Sequence, residues 1–275
     1  MVGSVKQISR EIAQMQQERQ KVETADAHCH LDLISNPTVL INAINFGVHT
    51  IITDGINVAT SKRALEISEG RYIFPAIGID PETAVALNGK ALDNEISQLV
   101  ELARQNRGKI IAIGEIGLDY MKAKTDTEKA RQKKVFERML DLAKELDVPV
   151  SVHSRESMDA VLEILEKKKM EKVQLHFFEG NVEQAKEAEK RGYMISIPPT
   201  ESSKRKQVIK DVSIDRLMAE SDCPVVGKTP IDVEFSIHMI ADIKGIPFMK
   251  AAETLTNNTK RFFGIETAKL GHIRG

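Results

Sequence analysis

The chain of 275 residues carries 39 Lys and Arg against 40 Asp and Glu, a formal net charge of -1, which excludes a global positive field for drawing in nucleic acid but leaves room for a local basic groove. Apolar residues make up 41% and charged residues 29%, and both recur along the whole length, so extensive disorder is excluded and a packed core is expected. Cys29 and Cys223 are too few for a disulfide framework, no run approaches the about 18 apolar residues of a membrane span, and "MVGSVKQISREIAQMQQERQ" lacks a signal-peptide core; the expectation is a soluble protein of the reducing cytoplasm.

In chain order, Val5, Ile8, Ile12 and Met15 recur every three or four positions among Gln, Arg and Glu, which predicts a helical extension over residues 1–23. From residue 24 to 275, short runs rich in Ile, Val and Ala alternate with longer amphipathic stretches, the pattern of βα units feeding a parallel sheet. Eight such runs occur: "ETADAHCH", "VHTIITDGI", "YIFPAIGID", "KIIAIGEIG", "VPVSVHS", "VQLHFF", "YMISIP" and "RLMAESD". The plainest helix between them is "DTEKARQKKVFERMLDLAKELD", where Val135, Phe136, Met139, Leu142, Ala143 and Leu146 form one stripe. "VEFSIHMIADIKG" and "PFMKAAETLTNNTKRFF" are expected to supply the last helices. Eight strands with helices between them and no low-complexity linker predict a single closed (β/α)8 barrel, an architecture that commonly runs to roughly 250 residues.

Polar residues recur at one topological place in this pattern. His28 and His30 end the first predicted strand, Glu115 the fourth, His153 the fifth, His176 the sixth and Asp222 the eighth. In a closed parallel barrel all strand C-termini point to the same rim, where active sites of this architecture are built. Residues two apart on a strand share a face, so His28 and His30 both point inward and Cys29 points toward the helices. Each of the six alone has a bland explanation, a packed imidazole or a capping carboxylate. Together they place four of the seven histidines at strand ends. Four imidazoles and two carboxylates crowded together carry desolvation and repulsion costs that divalent cations would relieve, so the set is read as a binuclear metal site.

Other motifs are negative. "VGKTP" around Lys228 lacks the glycine that a phosphate-binding loop requires, since Asp222 stands there, and H-E-x-x-H, G-x-S-x-G and G-x-G-x-x-G are missing. Cys223, between Asp222 and Pro224, is read as a buried structural thiol. The lysine run "EKKKMEK" is read as a solvated helix end.

The stretches "DAHCHLD", "GEIGLDY", "PVSVHSR", "LHFFEG" and "ESDCP", in this order and spread from Asp26 to Phe263, resemble the successive signatures of the TatD family of metal-dependent hydrolases, within the amidohydrolase superfamily. The resemblance implies that His28, His30 and Asp222 hold one metal, His153 and His176 the other, and Glu115 bridges them. It also implies phosphodiester hydrolysis of DNA, the family's deoxyribonuclease activity. Two departures stand out. "AIGIDP" puts Asp80 where the family has a histidine, a position expected to face substrate, and "HFFEG" puts Phe178 and Glu179 where the family has smaller polar residues. An acid at position 80 would repel phosphate, which keeps an amide or lactone substrate in play.

The expected chemistry is hydrolysis by metal-activated water, with Asp222 accepting the proton and Arg155 reaching a substrate phosphate. Histidine with carboxylate suits Zn, Mn, Fe or Co, while nucleases often employ Mg, so the expected cofactor is a pair of divalent ions, Zn, Mn or Mg. Three readings remain: an exonuclease or phosphodiesterase acting on DNA ends or a small phosphodiester, an amidohydrolase-type enzyme with the same metals, and a non-enzymatic metal-binding protein. A nuclease should offer aromatics for base stacking; aromatics total only 4% with no Trp, and Tyr120 and Phe177 are the candidates.

Overall fold

A computed structural model describes residues 22–68 and 71–265 of the chain. The expected helical extension over residues 1–23 falls almost wholly outside the described residues.

Eight parallel strands pair in sequence order: β1 Thr24–Cys29, β2 Val48–Asp54, β3 Ile73–Ile77, β4 Ala112–Asp119, β5 Val150–Arg155, β6 Val173–Leu175, β7 Met194–Ile197 and β8 Leu217–Ala219. The helices, in order, are α1 Pro37–Phe46, α2 Val58–Ile67, α3 Pro81–Ala86, α4 Gly89–Gln105, α5 Asp126–Leu146, α6 Met158–Lys167, α7 Val182–Lys190, α8 Ser203–Asp211, α9 Val233–Lys244 and α10 Phe248–Phe263. The fold is the (β/α)8 barrel that the pattern predicts.

Local sequence sets the helix boundaries. Thr125 and Glu128 form a reciprocal capping box at the start of α5, and Asn57 with Thr60 and Asn181 with Gln184 do the same for α2 and α7, which satisfies amide donors that a helix leaves unpaired. The α5 stripe expected from periodicity is the buried one, including Val135, Phe136, Met139, Leu142, Ala143 and Leu146. The main core lies between the strands and the surrounding helices. A smaller cluster draws Ala27, Ile52, Ala76, Ala112, Met194 and Met218 from six strands, which can meet only inside the cylinder.

The seam between β1 and β8 closes at the rim. Asp222 N–H donates to the His28 carbonyl at 3.0 Å, and His30 N–H donates to the Cys223 carbonyl at 2.7 Å. Ser221 adds its N–H and hydroxyl to the buried Asp26 carboxylate at 2.8 and 2.5 Å. The chain thus knits its first strand to its last through residues flanking the suspected ligands. No helix among the described residues is long and apolar enough to cross a membrane.

Two strands are shorter than expected. β6 ends at Leu175 and β8 at Ala219, so His176 and Asp222 stand just beyond their ladders. Phe177 has φ 43° and Asp222 has φ 47°, left-handed turns that non-glycine residues adopt at a cost and that cluster at functional sites. Leaving the ladder turns these side chains toward the barrel axis.

Candidate metal centre

All six suspected ligands converge at the C-terminal rim. His28, Glu115, His176 and Asp222 are 0%, 6%, 3% and 5% exposed, and the His28 and His176 rings stack with centroids 3.8 Å apart. Ligand-capable atoms of His28, His30 and Asp222 lie within 4.8 Å of one another, and so do those of His28, Glu115 and His176. The second grouping shows that His28 stands between the two halves of the cluster.

Glu115 divides its two oxygens between these halves. Oε1 is 2.8 Å from His153 Nδ1 and 3.1 Å from His176 Nε2, while Oε2 is 3.4 Å from His30 Nε2 and 3.7 Å from His28 Nε2. Asp222 Oδ1 stands beside the His28–His30 pair, at 3.6 Å from His30 Nε2 and 3.9 Å from His28 Nε2.

The donor set suits cations. His28 Nε2 and His30 Nε2 face each other at 3.3 Å, and His153 Nδ1 and His176 Nε2 at 3.2 Å. Two ring nitrogens cannot both point lone pairs at each other favourably, whereas tetrahedral ligands at about 2.0–2.1 Å from one ion sit about 3.3 Å apart. The local field also calls for positive charge. Burial alone would lower the His153 imidazole, yet Asp119 and Glu115, at its two nitrogens, push it up to about 10. Burial would raise Glu115, but His176 and His153 hold it well below the usual carboxylate range. Burial pushes Asp222 up to about 6, with Glu115 adding to the rise and His176 and His30 opposing it.

Behind the ligands stands a layer of acids and hydroxyls that sequence reasoning missed. His28 Nδ1 lies 3.2 Å from Asp54 Oδ2 and 3.1 Å from Ser151 Oγ, and His30 Nδ1 donates to the Asp54 carbonyl at 2.9 Å. Donation from Nδ1 leaves Nε2 of each ring free to ligate. His153 Nε2 is held by Asp119 Oδ2 at 3.2 Å. Glu220 accepts from Phe177 N–H at 2.7 Å and Ser196 Oγ at 2.6 Å, fixing the turn that carries His176. Asp119 was discoverable from "GEIGLD", where 115, 117 and 119 share one strand face, and Asp54 from its place at the end of "IITD".

The two glycines beside Glu115 make this possible. A Cβ on Gly114 would come 2.7 Å from Asp54 Oδ1 and 2.6 Å from Ser151 Cβ. Gly117 has φ 139°, and a Cβ there would fall 2.1 Å from the His153 carbonyl. Without side chains at both positions, β4 packs closely against β5 and sets Glu115 and Asp119 either side of His153. Replacing Asp54 by Asn should weaken metal affinity by about tenfold to a hundredfold, because His28 loses its orienting anion. The His30 bond uses the main chain and stays. Competition with a chromogenic chelator measures this, and unchanged affinity removes Asp54 from the assembly.

A cavity of about 420 Å³ opens over the cluster. Asp80, Arg155 and Phe177 line it, as expected of substrate-facing positions. Asp80 also has a structural duty: its Oδ1 accepts the Thr83 N–H at 2.8 Å and caps α3. Burial, with Glu115 nearby, pushes its carboxyl up to about 6. Tyr120 departs from expectation, since it lines a neighbouring cleft with Glu156 and Asp159 rather than this cavity, and Lys129 Nζ covers its ring at 5.0 Å. Its strand ends before it, and α5 draws the ring outward. Phe178 is 2% exposed and packs in the core, so of the unusual "FE" pair only Glu179 reaches the cavity.

Comparison with known proteins adds a second line. The model of the family described as TatD related DNase matches residues 25–264. The chain is 34% identical over 259 residues to the uncharacterized metal-dependent hydrolase YabD of Bacillus subtilis, covering 87% of this chain and 98% of that one. It is 29% identical over 275 residues to the human deoxyribonuclease TATDN3, covering 92% and 97%. The crystal structure of YjjV, a TatD homolog from Escherichia coli, superposes with a TM-score of 0.80 at 26% identity, covering 88% of this chain and 98% of that one.

Proposed function

The chain belongs to the TatD family of metal-dependent hydrolases, and we propose that it hydrolyses phosphodiester bonds of DNA at the barrel rim with two divalent ions. In this reading His28, His30 and Asp222 would hold one ion, His153 and His176 the other, and Glu115 would serve both. The observation that carries it is the split of the Glu115 oxygens between two histidine pairs. Four imidazoles with two carboxylates suit Zn or Mn better than Mg, which prefers oxygen donors.

Bound there, the ions would acidify a water and polarise the scissile oxygen. The chain's own groups do the rest. Asp222 accepts the proton: it is a strand-end carboxylate that lies beside His30 and His28 and also lines the cavity, so it can reach both an ion and the water to be deprotonated. Arg155, at the end of β5 and lining the cavity, meets a non-bridging phosphate oxygen. Phe177 offers the apolar wall against which a base can stack. The human relative named as a deoxyribonuclease supports a nucleic-acid substrate.

A second reading, an amidohydrolase-type enzyme cleaving an amide or lactone, has its own observation. Asp80, Glu82 and Glu179 line the cavity, and Arg155 is the one Lys or Arg among the described residues that does, a lining that suits an uncharged substrate. Hydrolysis of DNA ends, small phosphodiesters and small amides, measured with each metal restored to chelator-treated protein, decides between them. Oligonucleotide and phosphodiester cleavage that rises with added metal is the expected result. Metal-dependent cleavage of amides or lactones alone overturns the first reading.

A further inference from the structure

Among the described residues, two Lys or Arg side chains are buried, Arg205 and Lys260, each 7% exposed. Lys260 has its anion: Nζ lies 2.6 Å from Glu23 Oε1. Arg205 forms no ion pair among the described residues. Its Nη1 donates to the Thr200 carbonyl at 2.5 Å and the Thr200 hydroxyl at 2.6 Å, both neutral acceptors, and its buried Nε has no partner. Glu220 and Glu179 act on it only from beyond ion-pairing distance, and burial lowers its guanidinium from the ordinary value. A buried cation without a counter-ion is costly, and an anion arriving from outside would supply the charge that the Phe177 ring beside it does not.

The surroundings say which anion. Arg205 opens onto a cleft of about 340 Å³ that it shares with Thr200, Ser202, Lys204 and Phe177. Lys204 reaches across it to donate to the Glu179 carbonyl at 3.0 Å. Phe177 is the partition between this cleft and the metal centre, and it lines both cavities. The Arg205 guanidinium lies 5.3 Å from the centroid of its ring, and the His176 ring centroid lies 6.4 Å from it, edge to face. Glu179 also lines this cleft, but two cations and two hydroxyls outnumber it as donors to an oxyanion, and a guanidinium fork matches the oxygens of phosphate or carboxylate; for a chain read as acting on phosphodiesters, phosphate is the anion at hand.

We propose that Arg205 and Lys204, with Thr200 and Ser202, bind a second phosphate of the substrate strand, one that is not being hydrolysed, with Phe177 holding a base between the two sites. The ligand named here rests on the phosphodiesterase reading; the anion site itself rests on the buried, unpaired guanidinium. The substrate class this implies is a strand with two or more phosphates rather than an isolated diester.

The test uses the full metal-loaded chain and its Arg205→Gln and Lys204→Ala variants. The binding probe is a fluorescent single-stranded oligonucleotide with hydrolysis-resistant phosphorothioate linkages, titrated by anisotropy across a salt series. Each substitution should weaken binding by about tenfold at moderate salt and reduce the slope of log K against log salt by about one phosphate contact. In parallel, the loss of kcat/KM on an oligonucleotide should exceed the loss on bis(4-nitrophenyl) phosphate at least tenfold. Lys204 is exposed, so its variant folds even if the Arg205 variant melts early. Unchanged affinity and slope in Lys204→Ala and in folded Arg205→Gln, or equal losses on the two substrates, overturn the proposal. Weakened binding with no diester cleavage by the wild type leaves the anion site standing and removes the phosphodiesterase reading. Cleavage of both substrates with unaltered binding does the reverse.

Discussion

Asp222→Asn should lower kcat of the metal-loaded protein by about a hundredfold to ten-thousandfold, the range a positioned general base supplies, while the chain keeps its bound metal and its fold. The substitution isolates charge from shape. Asp222 sits at φ 47°, a conformation that asparagine tolerates at least as well as aspartate. Its N–H bond to the His28 carbonyl at 3.0 Å belongs to the main chain and survives. An asparagine oxygen still faces His28 and His30, where the aspartate Oδ1 lies 3.9 and 3.6 Å from their Nε2 atoms, so metal retention is expected. Metal content by emission spectrometry beside steady-state rates gives the answer. Wild-type turnover in the variant takes Asp222 out of proton transfer, whereas loss of metal together with rate makes it a ligand first.

Glu115→Gln should do the opposite, emptying both halves of the centre. The carboxylate serves two histidine pairs with separate oxygens, and an amide leaves one of those positions with a nitrogen that cannot ligate. The loss of affinity should exceed the about tenfold to hundredfold typical of removing an outer carboxylate. Charge balance deepens the effect, because His153 would keep only Asp119 as its acid, 3.2 Å from Nε2. Metal per chain should fall toward zero and hydrolysis with it. Two ions per chain in the Gln variant would refute the bridging role assigned to Glu115.

The barrel was legible in the sequence because each βα unit repeats the same change of period, from runs such as "HTIITD" to stripes such as that of α5. The convergence of the six candidate ligands was legible because a parallel barrel turns sequence position into spatial position: the end of every strand is the same rim. What supports them was legible only in part. Strand-end position marks Asp54 and Asp119 as rim carboxylates, but they act on histidines of other strands, His28 and His153, and only packing names the partner. Asp80 misleads for a related reason. Its place before Pro81 reads as a cavity position, and it is one, but the same carboxylate closes the first turn of α3, a duty visible only once Thr83 is in reach. Arg205 was invisible altogether, since "SSKRKQ" reads as an exposed basic helix and only packing shows that one of its three cations is buried.

The seam between the first and last strands carries one more consequence. His28 and His30 are made early and Asp222 late, nearly two hundred positions on, and the main-chain bonds that lock the ring run through these very residues. If an ion is held by all three, as proposed, it would act as a rivet across the join, and full chelation would have to wait until the circle is complete. Loading would then reinforce closure, so a protein stripped of its ions should loosen first where its two ends meet.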